Sequence, residues 1–160
     1  MARWYITVAD SEMKKSLMLI PALALTALLS CSKYSGDPVT ESFNVEGNYS
    51  QLCVEDAFNV HVSDTASLVY VTVGENIMPE VVVKQEDGKL TIRLKRSLHF
   101  RTGEMNVIMP RNQALTSVKL SGASEYHTPF VVTGQKVELD LSGAYDFVGD
   151  VEAETVVMDV

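Results

Sequence analysis

The sequence predicts an all-β fold, a β-solenoid or parallel β-helix-like domain with a hairpin-rich N-terminal part. Three observations predict it. Apolar residues alternate at period two over most of the chain, as in Phe58-Asn59-Val60-His61-Val62 and Met105-Asn106-Val107-Ile108-Met109. Outside the first thirty residues no window carries apolar residues at helical spacing. A Leu-Ser-Gly-Ala turn recurs at a fixed distance in the last third of the chain.

The elements follow in order. Phe43-Asn44-Val45 alternates, and Phe58–Val62 presents one apolar face. Leu68–Val73 is rich in β-branched and aromatic residues, which suit a pleated, half-buried surface. Val81-Val82-Val83 and Leu90-Thr91-Ile92-Arg93-Leu94 flank Glu86-Asp87-Gly88. Asp-Gly takes up the positive φ angles of a tight primed turn, so a hairpin is expected there. Met105–Met109 stops at Pro110, which cannot donate to a ladder.

The repeat lies beyond. Val118-Lys119-Leu120-Ser121-Gly122-Ala123-Ser124-Glu125-Tyr126 matches Leu139-Asp140-Leu141-Ser142-Gly143-Ala144-Tyr145-Asp146-Phe147 at an offset of 21 residues. Val137-Glu138-Leu139-Asp140-Leu141 is echoed again by Val156-Val157-Met158-Asp159-Val160. One strand and one turn per unit of about twenty residues is the signature of stacked coils. Ser121, Gly122, Ala123 and Ser142, Gly143, Ala144 are then the corners, with the glycines where the backbone needs conformations closed to other residues. Two similar hairpins in a β-sandwich are the alternative. The unfinished third repeat leads to the expectation that the domain is shortened at its C-terminal end.

The first thirty residues read as a targeting segment. Met13-Lys14-Lys15 is a basic start, Ser16–Ser30 is almost wholly apolar, and Leu28-Leu29-Ser30-Cys31 resembles a bacterial lipobox. Cys31 is the expected lipidation site, since a thiol at the membrane face is the acceptor of diacylglycerol. The apolar run is too short, and broken by Pro21, for a span of about 20 apolar residues. Residues 1–12, with Asp10 and Glu12, suit no such start and are read as an extension or a mis-assigned start. Residues 13–30 form the signal, 31–42 a polar tether, and 43–160 the domain.

Charge narrows the function. The chain has 13 Lys and Arg against 21 Asp and Glu. Removing the three basic and two acidic residues of 1–30 leaves 10 against 19, a net charge of −9. Nucleic acid, whose affinity comes from cations on phosphates, is excluded as a partner. Membrane attachment is expected through the lipid on Cys31 alone. Cys53 then has no cysteine to pair with and reads as a buried strand residue. No Cys/His spacing suggests a metal, and no cofactor is expected.

The lipobox, Phe58–Val62, Gly74-Glu75-Asn76-Ile77 with Asp87–Ile92, and above all the two Leu-Ser-Gly-Ala copies resemble the family described as putative auto-transporter adhesin, head GIN domain, of Bacteroidetes-type envelopes. The resemblance implies a β-helix-like fold and a cell-envelope location, with outer-membrane sorting compatible with Ser32. Residues 43–160 are then an adhesin-like domain.

No catalytic residues are assigned, and the chain reads as a non-enzyme. Ser121 and Ser142 lack the Gly-x-Ser-x-Gly of a nucleophile elbow. Asp140 alternates with Leu139 and Leu141 and should face solvent, while Asp146 and Asp150 flank turns. His61, His99 and His127 share no motif. Lys95, Arg96 and Arg101 form the one basic cluster, a candidate site for an acidic glycan or a protein. Tyr126 and Phe147 occupy equivalent repeat positions, as core if they point inward and as a binding row if they point outward. Three roles stay open: an interaction module of adhesive type, with a glycan, protein or second copy as ligand; a periplasmic structural or stress-sensing component; and, last, a glycan-active β-helix enzyme.

Overall fold

The computed structural model describes residues 36–95 and 103–160, together with the backbone of residues 2–9. The fold is all-β. Twelve strands form one hydrogen-bonded sheet. They are β1 (Ala2–Ala9), β2 (Pro38–Phe43), β3 (Gln51–Val54), β4 (Phe58–Ser63), β5 (Val69–Gly74) and β6 (Val81–Glu86). There follow β7 (Lys89–Leu94), β8 (Met105–Pro110), β9 (Ser117–Gly122), β10 (Glu125–His127), β11 (Val132–Gly143) and β12 (Asp146–Asp159). Among the described residues the only helical element is a 3-10 turn, Met78–Glu80.

The strand order is β2-β5-β8-β4-β10-β12-β11-β9-β3-β7-β6, with β1 antiparallel to β12 off this path. The hydrogen bonding runs unbroken from β2 to β6, so the two separate sheets of a sandwich do not form. The sheet bends until its two terminal strands line one cleft, with Val39 and Phe43 on one side and Met78 and Val81 on the other.

Within this sheet the repeat is visible as register. β9 and β11 run parallel with Ser121 opposite Ser142 and Gly122 opposite Gly143. β11 and β12 run parallel with Val137 opposite Val156 and Leu139 opposite Met158, the third echo of the sequence. The N-terminal part is less hairpin-rich than expected: β2–β5, β5–β8 and β6–β7 are antiparallel, but of these pairs only β6–β7 joins consecutive strands as a hairpin. The β6–β7 turn has Asp87 at φ 51° and Gly88 at φ 74°, the two positive angles of a primed turn.

Two strand sets face each other across the core. Leu90, Leu52, Val118 and Leu139 stack along β7, β3, β9 and β11, and all four are buried. Val107, Val60, Tyr126 and Phe147 stack along β8, β4, β10 and β12 and are buried as well. Each such side chain contributes about 1.5–3 kcal/mol by leaving water.

The corners between the sets are fixed by backbone geometry. Gly122 has φ +84° and Gly143 φ +98°. Ala123 N–H donates to the Asp56 carbonyl at 2.6 Å, and Ala144 N–H to the Gly122 carbonyl at 2.8 Å. The stacked corners sit so close that a Cβ on Gly122 would lie 2.2 Å from the Asp56 oxygen, and one on Gly143 2.4 Å from the Gly122 oxygen.

Asp56 is a third corner. It has φ 72° and lies under Gly122, between Val54 opposite Leu120 and Asn59 opposite Glu125. Asp tolerates the left-handed region better than most side chains. Its carboxylate also accepts the Leu94 N–H at 2.8 Å. Gly143→Ala and Gly122→Ala should each lower the urea midpoint by an amount equivalent to at least about 1–3 kcal/mol, the cost of a non-glycine held at such angles. An unchanged midpoint would show that the corners are looser than their hydrogen bonds imply.

Candidate interaction surface

Because side chains alternate across a strand, a buried row implies an outward row one residue on. Tyr126 and Phe147 are stacked, with ring centroids 5.5 Å apart, and both are buried. As placed, they line the core and offer no ring to solvent. The outward row is formed by their successors.

That row runs Tyr70, Ile108, His61, His127, Val148 across β5, β8, β4, β10 and β12. His61 and His127, 66 positions apart, are register partners with rings stacked at 5.1 Å and an interplanar angle of 22°. Ile108 beside them is 47% exposed, the largest apolar exposure among the described residues of these rows. A parallel polar row runs Thr40, Thr72, Asn106, Asn59, Glu125, Asp146. The Thr40 and Thr72 hydroxyls share a hydrogen bond of 2.8 Å, and His127 Nε2 lies 3.3 Å from Glu125 Oε2. Rings and an isoleucine beside a row of amides, hydroxyls and carboxylates can offer stacking and hydrogen bonds together.

The opposite outward face is different in kind. Lys119 and Asp140 are register partners on β9 and β11 and form an ion pair. Asp140 is thus on the outward side of its strand and serves as Lys119's counter-charge. Cys53, in β3, is register partner to Lys119 and is 4% exposed. Its Sγ lies 3.6 Å from Glu55 Oε1. Burial, and next the Glu55 carboxylate, push the thiol above its ordinary value, outweighing Lys89 and Lys119. The thiolate is the reactive form. Cys53 should therefore alkylate at least about tenfold more slowly in the native protein than in urea at pH 8. Equal rates would place the thiol in water.

The other sequence candidates are dispersed. Lys95 follows β7 and its ammonium donates to the Pro79 carbonyl. Arg96, Arg101 and His99 lie outside the described residues, as does Cys31. Ser142 Oγ donates to the Leu120 carbonyl at 3.4 Å, so this corner serine holds backbone. Asp146 opens β12, and Asp150 lies within it. Among the described residues no group of three His, Cys, Asp or Glu side chains converges as a metal centre. The sequence reading missed the His61–His127 pair. The signal for it was present: Glu55-Asp56-Ala57 precedes His61 by the same interval at which Ser121-Gly122-Ala123 precedes His127.

At the end of the stack Tyr49 is buried, and its hydroxyl has no hydrogen-bond partner among the described residues. Burial pushes this phenol up to about 12, against a smaller opposing pull from Asn112. Burial also raises Tyr126. Folding thus favours the neutral phenols. This stability is present in full below the ordinary phenol value of about 10 and is lost as pH climbs from there toward 12. The Tyr49 contribution is on the order of 2 kcal/mol. The urea midpoint should fall over this range, and Tyr49→Phe should soften the fall while being no less stable at pH 7. A variant with the wild-type alkaline profile would remove Tyr49 from the account.

The chain belongs to the family described as putative auto-transporter adhesin, head GIN domain, whose model matches residues 48–160. No curated protein matches the chain. Among solved structures it is similar to a putative adhesin from Parabacteroides distasonis, with 25% identity and a TM-score of 0.54 over 66% of this chain and 44% of that one. It is also similar to a putative adhesin from Bacteroides fragilis, with 15% identity and a TM-score of 0.57 over 69% and 53%. A protein from Parabacteroides distasonis described as a putative lipid binding protein matches at 20% identity and a TM-score of 0.54 over 66% and 46%. The chain spans about half the length of these structures.

Proposed function

We propose that the chain is a cell-envelope lipoprotein, tethered through Cys31, whose domain is a non-catalytic adhesive module of β-solenoid character. The observation that carries the adhesive reading is the in-register outward row Tyr70–Ile108–His61–His127 beside its polar companion row. Such a surface meets a ligand by area and complementarity. Family membership supports the same reading, because the family is described by adhesion. The solenoid reading rests on the parallel register of β3, β9 and β11 and on the stacked corners at Asp56, Gly122 and Gly143. Anchoring rests on the lipobox. Among the described residues no helix is long and apolar enough to cross a membrane. The lipid-binding description of one neighbour is not carried over, since 20% identity conveys the fold alone.

The test has two parts. Metabolic lipid labelling of an epitope-tagged chain should mark the wild type and be lost in Cys31→Ala. Protease on intact cells should digest the tag. Wild-type cells should then adhere to host glycoprotein surfaces, and Ile108→Glu with His61→Ala should reduce adhesion at least about tenfold, 1.4 kcal/mol, without changing the melting temperature. A lipid-labelled but protease-protected tag would favour a periplasmic structural role. Unchanged adhesion in the double variant would remove this face from the function.

A further inference from the structure

A second place on the domain is built for a ligand, apart from the outward face. At the end of the stack opposite the glycine corners lies a cavity of about 280 Å³, enclosed by the segment after β8 and the turn between β10 and β11. Its floor is apolar, with Val62, Leu115 and Val132. Its rim carries Arg111, Gln113 and Thr133. No acidic side chain lines it, although the chain as a whole carries a net charge of −8.

Arg111 is held from both sides. Its backbone N–H donates to the Ser63 carbonyl at 3.1 Å. The next residue, Asn112, donates from Nδ2 to the Tyr49 carbonyl at 2.5 Å and accepts the Ala114 N–H at 2.9 Å. The Arg111 guanidinium lies 4.7 Å from the centroid of the Phe130 ring. Phe130 is fixed in turn, because its N–H donates to Thr128 Oγ1 at 3.1 Å. Among the described residues no carboxylate forms an ion pair with Arg111, whereas Lys84, Lys119 and Lys136 each have one.

We infer that this cavity binds a single carboxylated sugar unit, a uronate, with Arg111 taking the carboxylate. Guanidinium presents two parallel N–H donors that match a carboxylate, and stacking on an aromatic ring leaves those edge donors free. A cation without a counter-charge among the described residues supplies the attraction. The volume is just below the roughly 300–1,000 Å³ of small-molecule pockets, which suits one ring. Val62, Leu115 and Val132 would pack against the apolar face of that ring, while Gln113 and Thr133 would meet its hydroxyls. Anchored backbone on both sides reduces the ordering cost of binding. The site stands independently of the outward row, so either may fail without the other.

The test is calorimetric titration of the full chain with D-glucuronate, D-glucose and acetate. Glucuronate should bind at least about tenfold tighter than either of the others. Arg111→Gln should lose that advantage at an unchanged melting temperature. Gln113→Ala, which leaves the guanidinium in place, should weaken glucuronate a few-fold and leave acetate unaltered. Glucose equal to glucuronate would overturn the carboxylate site, and acetate equal to glucuronate would overturn the ring subsite. Glucuronate binding that survives Arg111→Gln would place it elsewhere.

Discussion

The structure depends on the column of left-handed corners. Asp56, Gly122 and Gly143 stack with the carbonyl of one accepting the amide that follows the next. Strand register in a parallel sheet is otherwise weakly defined, since slanted hydrogen bonds re-form after a shift of two residues. A corner at positive φ admits no such shift. Once Gly122 sits over Asp56 and Gly143 over Gly122, the strands on both sides are in register. Leu120 then falls on Val54 and Leu141 on Leu120, while Tyr126 falls on Val60 and Phe147 on Tyr126. The core and both outward faces inherit their alignment from this one column.

The sequence showed two of these corners and hid the third. Gly122 and Gly143 are announced by identical Ser-Gly-Ala turns, and the parallel pairing of β9 with β11 follows from them. Asp87-Gly88 announced the β6–β7 hairpin with equal clarity, because the turn chemistry is local. Asp56 was concealed because aspartate reaches the same backbone conformation without matching glycine in a comparison of letters. Strands β5 to β8 then intervene before β9, so the interval from the first corner to the second is 66 residues, not 21. A search for a single period passes over such a copy. The His61–His127 pair was lost for the same reason, since it is visible only at the interval the hidden corner defines. Whether Tyr126 and Phe147 point inward was open in the sequence. Their buried stacking in line with Val60 places them in the core. The unbroken ladder from β2 to β6 was not readable locally, because it comes from how the antiparallel strands dock onto the parallel ones.

The two outward faces share one register and differ in what it aligns. On β9 and β11 it sets a lysine against an aspartate, so charge is answered within the sheet. Exposed pairs of this sort contribute little to stability, and their main effect here is to leave that face electrically quiet. On β4 and β10 it sets histidine against histidine and asparagine against glutamate. His127 reaches Glu125 along its own strand, and across the strands these side chains are aligned without a counter-charge. A face whose charges answer one another has little left to offer a partner, whereas one whose polar groups are aligned in rows has a repeated pattern to offer.

On the adhesive reading proposed above, recognition by the outward face is a property of register more than of enclosure. A cleft enzyme gathers distant residues into a pocket, and its specificity survives small changes in the frame around it. Here neighbouring strands lie about 4.8 Å apart, and a ligand laid across them reads one side chain per strand. A single coil displaced by two residues would exchange the partners of every row above it while leaving the core apolar and the fold intact. The corners hold that displacement in check. The close approach of Gly122 to the Asp56 oxygen, and of Gly143 to the Gly122 oxygen, thus bears on the proposed binding rows as well as on stability.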